Sequence, residues 1–252
     1  MGELIGITGP IGSGKSTVAQ YFATMQPDHA LYETWHVVAE IATAFNAALK
    51  AELAYETTHD PIELANQVLI WLPDAISESL HHDVVWNQLA FTKHDAIAKP
   101  DMYEKLLTYL RQIEKQPKLL TARITPETKE TFRPILQWLG GYLVTKISKT
   151  IWYDELLRRI QLRNPTTSLV IISGVRYPSD AEVVRAHGGR ILRVERPGPA
   201  IHTSDPTEAE RENIQPDVTV INNGSPEQLS AAVETMWNDL AAGHARPSYA
   251  AM

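Results

Sequence analysis

Residues 9–16 read Gly9-Pro10-Ile11-Gly12-Ser13-Gly14-Lys15-Ser16, a full match to G-x-x-x-x-G-K-[ST], and Thr17 follows. Each residue type in this pattern has its own physical reason. Glycines let successive backbone N–H groups curl around a polyphosphate that side chains would obstruct. A helix beginning near Lys15 turns its positive dipole end toward the anion. Lys15 adds a mobile point charge for the β- and γ-phosphates, and the Ser16 hydroxyl is the expected Mg²⁺ ligand. The motif also needs a strand before it and a helix after it. Residues 4–7 supply a short apolar run that breaks at Thr8-Gly9-Pro10, and residues 15–25 place Val18, Ala19 and Phe22 on one helical face. The expected donor site is therefore Gly12, Ser13, Gly14, Lys15, Ser16 and Thr17, with ATP and Mg²⁺ as ligands.

Working outward, residues 30–32 read as a second strand and 37–49 as an alanine-rich helix. From 51 to 124 the pattern is helical, punctuated by Pro61, Pro73, Pro100 and Pro117, and lacks strong strands. It is expected to be an inserted helical region that serves as substrate-binding region or lid. Thr125-Pro126-Glu127 predicts a helix start, with a capping hydroxyl and proline at the first helical position, running to about Gly140-Gly141. Another helix is expected over 151–163. Strand signals return at 169–172, 190–194 and 218–221, and a last helix at 226–240. Strands alternating with helices imply parallel pairing with helices on both faces. The expected fold is a three-layer α/β architecture with about five parallel strands. Its core comprises residues 1–50 and 125–242, and 243–252 form a flexible tail.

Composition narrows the function classes. The chain has 252 residues, a net charge of −7, 44% hydrophobic and 21% charged residues, and no cysteine. Disulfides and cysteine-ligated zinc are excluded. An acidic balance argues against a nucleic-acid polymer as partner. No signal peptide or membrane-length apolar run stands in the sequence, so a cytoplasmic protein without a membrane partner is expected. A homodimer is compatible with the sequence. The nine histidines do not make a metal cluster: His81-His82 lacks the i, i+4 spacing of zinc sites, and His36, His59 and His94 are isolated. A base-reading Asn-Lys-x-Asp motif is absent, which excludes a switch GTPase, and the length suits a small-substrate kinase.

Two later stretches resemble the deoxynucleoside monophosphate kinase family of P-loop nucleotide kinases. The first is Arg133-Pro134-Ile135-Leu136-Gln137-Trp138-Leu139-Gly140, followed by Trp152. The second is Ile171-Ile172-Ser173-Gly174-Val175-Arg176-Tyr177-Pro178, continuing through Gly188-Gly189-Arg190 to Arg193-Val194-Glu195-Arg196-Pro197-Gly198. His202-Thr203-Ser204 and Asp217 through Asn222-Asn223-Gly224-Ser225 also look like the family. The resemblance covers residues 3–25 and about 130–230, and it implies transfer of the ATP γ-phosphoryl to a (deoxy)nucleoside monophosphate.

A reading of the residues agrees with that implication. Arg133, Gln137 and Gly140 or Gly141 share one helical face. An arginine fork suits a phosphate, a glutamine amide suits a base edge, and a glycine admits a flat ligand. Trp152 is either a stacking surface for the base or a core residue. Arg176 either contacts phosphate or steadies its loop by a salt bridge. With Lys15, Arg133 and Arg176 form the expected catalytic set. Of Arg190, Arg193 and Arg196, strand parity puts Arg193 on the opposite face. The acid run 205–212 reads as a solvated face or a lid, and Asn223 as an adenine contact or plain turn residue. The family commonly has an aspartate where this chain has Gly174; Asp180, Glu182 and Glu33 are candidates for its role. The opening also resembles dephospho-CoA kinase, whose hydroxyl acceptor gains from a carboxylate base; only Glu33 stands where that acid would be. A nucleotide-binding regulator without kinase activity is the remaining alternative.

Overall fold

The structure is a computed structural model and describes residues 2–54, 60–77, 100–146, 148–163, 165–198, 210–244 and 246–251. His59, His81, His82, His94, the His202-Thr203-Ser204 stretch and residues 205–209 of the acid run lie outside the described residues. The chain forms two compact units, residues 1–34 with 156–252 and residues 35–155. None of the described helices is long and apolar enough to cross a membrane.

The first unit is built on a six-stranded sheet of parallel pairs, whose strands lie side by side in the order His29–Glu33, Leu169–Ser173, Glu3–Thr8, Arg190–Glu195, Val218–Ile221 and Ser248–Ala250. In chain order the elements of this unit begin with β1 (Glu3–Thr8), α1 (Lys15–Met25) and β2 (His29–Glu33). Strand β1 is buried from Leu4 onward and lies between β3 (Leu169–Ser173) and β4 (Arg190–Glu195), with Ile7 opposite Ser173 and Thr8 opposite Arg193. The period of two sorts side chains between the faces. Ile5, Ile7, Ile171, Leu192 and Val194 join Val18 and Phe22 of α1 in one core cluster. On Gly6, a Cβ would meet Ile191, Val175 and Val184, side chains of the opposite face. β5 (Val218–Ile221) continues the sheet beyond β4. All pairs being parallel, every strand delivers its C-terminal end, and the loop that follows, to the same edge of the sheet, where ligands bind in open parallel sheets.

The second unit is helical, with α2 (Thr34–Leu53), α3 (Pro61–Ser77), α4 (Pro100–Lys115), a 3₁₀ turn at Pro117–Leu120, α5 (Arg133–Lys146) and the start of α6 (Ile151–Arg163). The expected division of the chain was at 50 and 124; the observed one falls at 34 and 155. Packing explains the shift. Phe45 on α2 meets Trp71 on α3 and Trp138 on α5, with ring centroids 5.7 and 5.9 Å apart. Tyr109 on α4 donates a buried hydrogen bond to Asn46 of α2 at 2.8 Å. These aromatic contacts tie α2 and α5 to the helices of the insertion.

The helix expected from Pro126 begins at Arg133 instead. Pro134 has no N–H and its ring would clash with the carbonyl of residue 130 inside a continuous helix, so it sits in the first turn of a new one. Residues 126–132 form turns, with Lys129 N and Thr128 N donating to the Thr125 carbonyl. The Thr125 hydroxyl binds the Glu127 carboxylate at 2.6 Å.

Two further helices of the first unit are α7 (Pro178–Ala186), after β3, and α8 (Pro226–Ala241), after β5. The segment expected to fray forms a sixth strand, β6 (Ser248–Ala250), paired to β5. Tyr249 is buried, donates to Asp239 of α8 at 3.0 Å and accepts from Arg246 N at 2.8 Å. The Arg246 guanidinium lies 5.4 Å from the Tyr249 ring centre. Nothing in a short stretch such as Ser248-Tyr249-Ala250 announces a strand; pairing with β5 makes it, and the contacts of the buried tyrosine hold it there. Tyr249→Ala should therefore cost about 3 kcal/mol of stability and Tyr249→Phe about 1 kcal/mol. Urea unfolding of the two variants beside wild type measures both.

Candidate active site

The chain leaving β1 enters the left-handed region at Gly9 (φ 144°), Gly12 (φ 78°) and Gly14 (φ 101°). Two of these are also sterically forced: a Cβ on Gly9 would lie 2.2 Å from the Val194 carbonyl oxygen, and one on Gly14 2.5 Å from Asn222 Nδ2. The loop closes with Ser13 N donating to Pro10 O at 3.2 Å, and α1 starts with Val18 N donating to Gly14 O. No side chain caps α1 and no acid lies in its first turn, so its positive end stays unneutralised. Lys15 arches back over the loop, its Nζ donating to the carbonyls of Gly9 and Pro10 at 2.7 Å each. The Ser16 and Thr17 residues are exposed, whereas the Ser13 hydroxyl is buried without a hydrogen-bond partner. The loop thus gathers the Lys15 ammonium and the positive end of α1 beyond the end of β1.

Asn222, which sequence reasoning passed over in favour of its neighbour, is buried and donates from Nδ2 to the Ser13 carbonyl at 2.9 Å. Asn223 is exposed on the turn that follows. The only advance signal for Asn222 was its place one residue beyond an apolar run at the sheet edge.

The β3–α7 loop is stitched to the end of β1. Gly174 N and Val175 N both donate to Ile7 O at 3.0 Å, and the Thr8 hydroxyl donates to Val175 O at 2.8 Å. Gly174 has φ 93°, with nothing within 4 Å of a Cβ built there. An acid at this position would have room but a strained backbone. Of the three acids considered for its role, Asp180 is engaged as a cap: its carboxylate accepts from Arg176 N at 3.2 Å and Tyr177 N at 3.0 Å. Glu182 is exposed on α7, and Glu33 ends β2 directly opposite Ser173. Arg176 is exposed at the same sheet edge.

The strand arginines separate cleanly. Arg190 pairs with Glu3 at the opposite, N-terminal edge of the sheet. Arg193 donates to the carbonyls of Arg211 and Ile214, and Arg196 is exposed beyond the C-terminal end of β4.

In the helical unit, Arg133 and Gln137 are exposed on one face of α5, and a Cβ on Gly140 would touch nothing within 4 Å. Arg133 is ion-paired with Glu130 at 2.6 Å. Trp152 does not offer a stacking surface: its ring is buried and its Nε1 donates to Gly140 O at 2.9 Å, tying α6 to α5. Large aromatics at helical spacing usually go to the core, and this one does. Trp35, at the start of α2, is half-buried instead, with Lys129 Nζ 5.3 Å from its ring centre. Among the described residues no group of three histidines or acids forms a metal cluster.

A parallel sheet whose central strand runs through a glycine loop into an uncapped helix defines a P-loop nucleotide kinase fold. Within that class the chain belongs to the deoxynucleotide monophosphate kinase family, whose model matches residues 3–233. A protein of Acanthamoeba polyphaga mimivirus named "Putative deoxynucleotide monophosphate kinase" is 30% identical over 84 residues, 33% of this chain and 41% of the viral protein. The match to this chain thus spans less than half the length of that relative.

Burial pushes the Asp180 carboxyl up to about 6 from an ordinary 3.8, against the opposing pull of two backbone N–H groups and the Arg176 charge. The folded chain then holds a proton that the unfolded chain has released, so this group's contribution to stability falls as pH rises through that window. Asp180→Asn removes the titration. The wild-type minus Asp180→Asn difference in unfolding free energy should decline from about pH 4 to about pH 6 and level off above. Urea titrations across pH check it.

Proposed function

We propose that this protein transfers the γ-phosphoryl group of ATP to the phosphate of a (deoxy)nucleoside monophosphate. The observation that carries the reading is the phosphate loop: left-handed glycines, an uncapped helix and a folded-back lysine at the end of the central strand, in a chain of this family. The loop's residues suit a triphosphate, because the buried Ser13 hydroxyl lacks a partner and the positive end of α1 carries no side-chain cap.

Phosphoryl transfer depends on positioning and charge neutralisation more than on covalent chemistry. Lys15 leaves the Gly9 and Pro10 carbonyls to balance charge on the β- and γ-phosphates. The backbone of residues 12–14 and the Ser16 and Thr17 positions hold the rest of the polyphosphate. The exposed Ser16 hydroxyl would be the protein group that holds Mg²⁺, an ion that commonly keeps most of its waters, needs few protein ligands and would supply neutralisation of phosphate charge. Glu33, which ends β2 directly opposite Ser173, is the acid assigned to the role of the missing side chain at 174 on the strength of that position. Arg176 stabilises the transferring group. Arg133, Gln137 and Gly140 form the acceptor face, with Arg133 exchanging Glu130 for the acceptor phosphate, and Asn223 contacts the adenine. The acceptor phosphate is already anionic at pH 7, so no general base is required.

A transfer screen over all common monophosphates and dephospho-CoA, with products identified by mass, tests the reading. A nucleoside diphosphate product from a preferred monophosphate supports it. Product from dephospho-CoA alone, or tight ATP binding without turnover, overturns it in favour of an alcohol kinase or a nucleotide-binding regulator. Lys15→Ala should lower kcat by about 10²–10³-fold or more. Arg133→Ala should raise the acceptor KM about 10-fold or more while the ATP KM holds. Steady-state kinetics varying each substrate separately reads both.

A further inference from the structure

The phosphate loop is fastened from outside by Asn222. Its Nδ2 donates to the Ser13 carbonyl at 2.9 Å in a buried contact, and only the amide's nitrogen end suits a carbonyl partner. Asn222 is itself fixed: its backbone N–H donates to Glu195 O at 2.7 Å, and the preceding carbonyl, on Ile221, accepts from Ala251 N at 3.0 Å. The end of β4 and the chain beyond β6 thus fix the backbone at the end of β5 from which this side chain projects.

A trans peptide carries its C=O and N–H on opposite sides. Holding the Ser13 carbonyl toward Asn222 therefore turns the N–H of Gly14 the other way, and among the described residues that N–H has no hydrogen-bond partner. Were the peptide to flip, the loop would present a carbonyl oxygen in its place, a group that repels an anion. Gly14 has no Cβ to resist such a flip, so the restraint has to come from elsewhere.

We propose that Asn222 is a positioning residue of the donor site, which holds the Ser13–Gly14 peptide in the orientation that offers its N–H to a polyphosphate. The inference rests on the reading of residues 9–16 as a triphosphate site. Its physical content is preorganisation: the loop is set for the anion before the anion arrives, and binding does not have to fund that ordering.

The test uses Asn222→Asp, which keeps the shape and removes the donor, and Asn222→Ala, which removes the donor without adding charge. Binding of ATP and of the preferred monophosphate is measured separately by calorimetry, beside thermal melts. At pH 7.5 the ATP Kd should rise about 10-fold in Asn222→Ala and about 100-fold in Asn222→Asp, with the monophosphate Kd unchanged. As pH falls to about 5, the introduced carboxyl takes up a proton and regains an O–H donor, so the Asn222→Asp deficit should shrink toward that of wild type. Asn222→Ala should show no such recovery. ATP affinity equal to wild type in both variants overturns the inference and leaves the proposed function standing. Equal loss of ATP and monophosphate affinity with a lowered melting temperature also overturns it, in favour of a purely structural contact. Wild type that binds no ATP overturns both.

Discussion

Three glycines in left-handed backbone between β1 and α1 are the constraint on which the rest of the first unit depends. The conformation is open to Gly9, Gly12 and Gly14 because they lack a Cβ, and it is kept because the loop is crowded by its neighbours. Val194 O stands where a Gly9 side chain would be, and Asn222 stands where a Gly14 side chain would be. Both neighbours come from strands on the same side of β1. The loop is therefore shaped by β4 and the end of β5 as much as by its own residues, and the parallel register that brings these strand ends level is what shapes it.

On the other side of β1, the β3–α7 loop plays a comparable part with different chemistry. Two N–H groups converge on Ile7 O, and a buried aspartate caps the helix that follows. Gly174 keeps a positive φ in open space, so the turn there is a backbone solution to a connection that a side chain would strain. Burying the Asp180 carboxyl is unfavourable for its charge, and its two N–H partners compensate in part.

The helical unit follows another rule. Its interior is aromatic, with Trp138 stacked on Tyr142 at 5.2 Å and Phe45 bridging Trp71 and Trp138. Large flat side chains bury much apolar area, and they recruit whichever helices lie within reach. This interior claims Trp152, whose N–H finds a helix carbonyl, and leaves Arg133 and Gln137 of α5 to solvent. Helical periodicity distinguishes these two faces, but it does not say which tryptophan is enclosed and which, like Trp35, keeps an edge outside.

Local sequence by itself determined the strand–loop–helix of residues 3–25, the alternation that makes a parallel α/β sheet, and the shared face of Arg133 and Gln137. Those features depend on hydrophobic period, glycine permissiveness and backbone capping, all of which act between residues close in the chain. Only the tertiary structure decided that α5 waits for Arg133, that Ser248–Ala250 is a strand, that Trp152 is enclosed, that Asp180 is a cap and that Asn222 grips the loop. The strand and the grip depend on partners far along the chain, β5 for Ser248–Ala250 and Ser13 for Asn222, and the enclosed ring on Gly140 of the preceding helix; no short-range pattern encodes which of these groups a residue will meet. The helix start and the cap turn on partners a few residues away, at Pro134 and at Tyr177, where several local hydrogen-bonding patterns compete and packing selects among them.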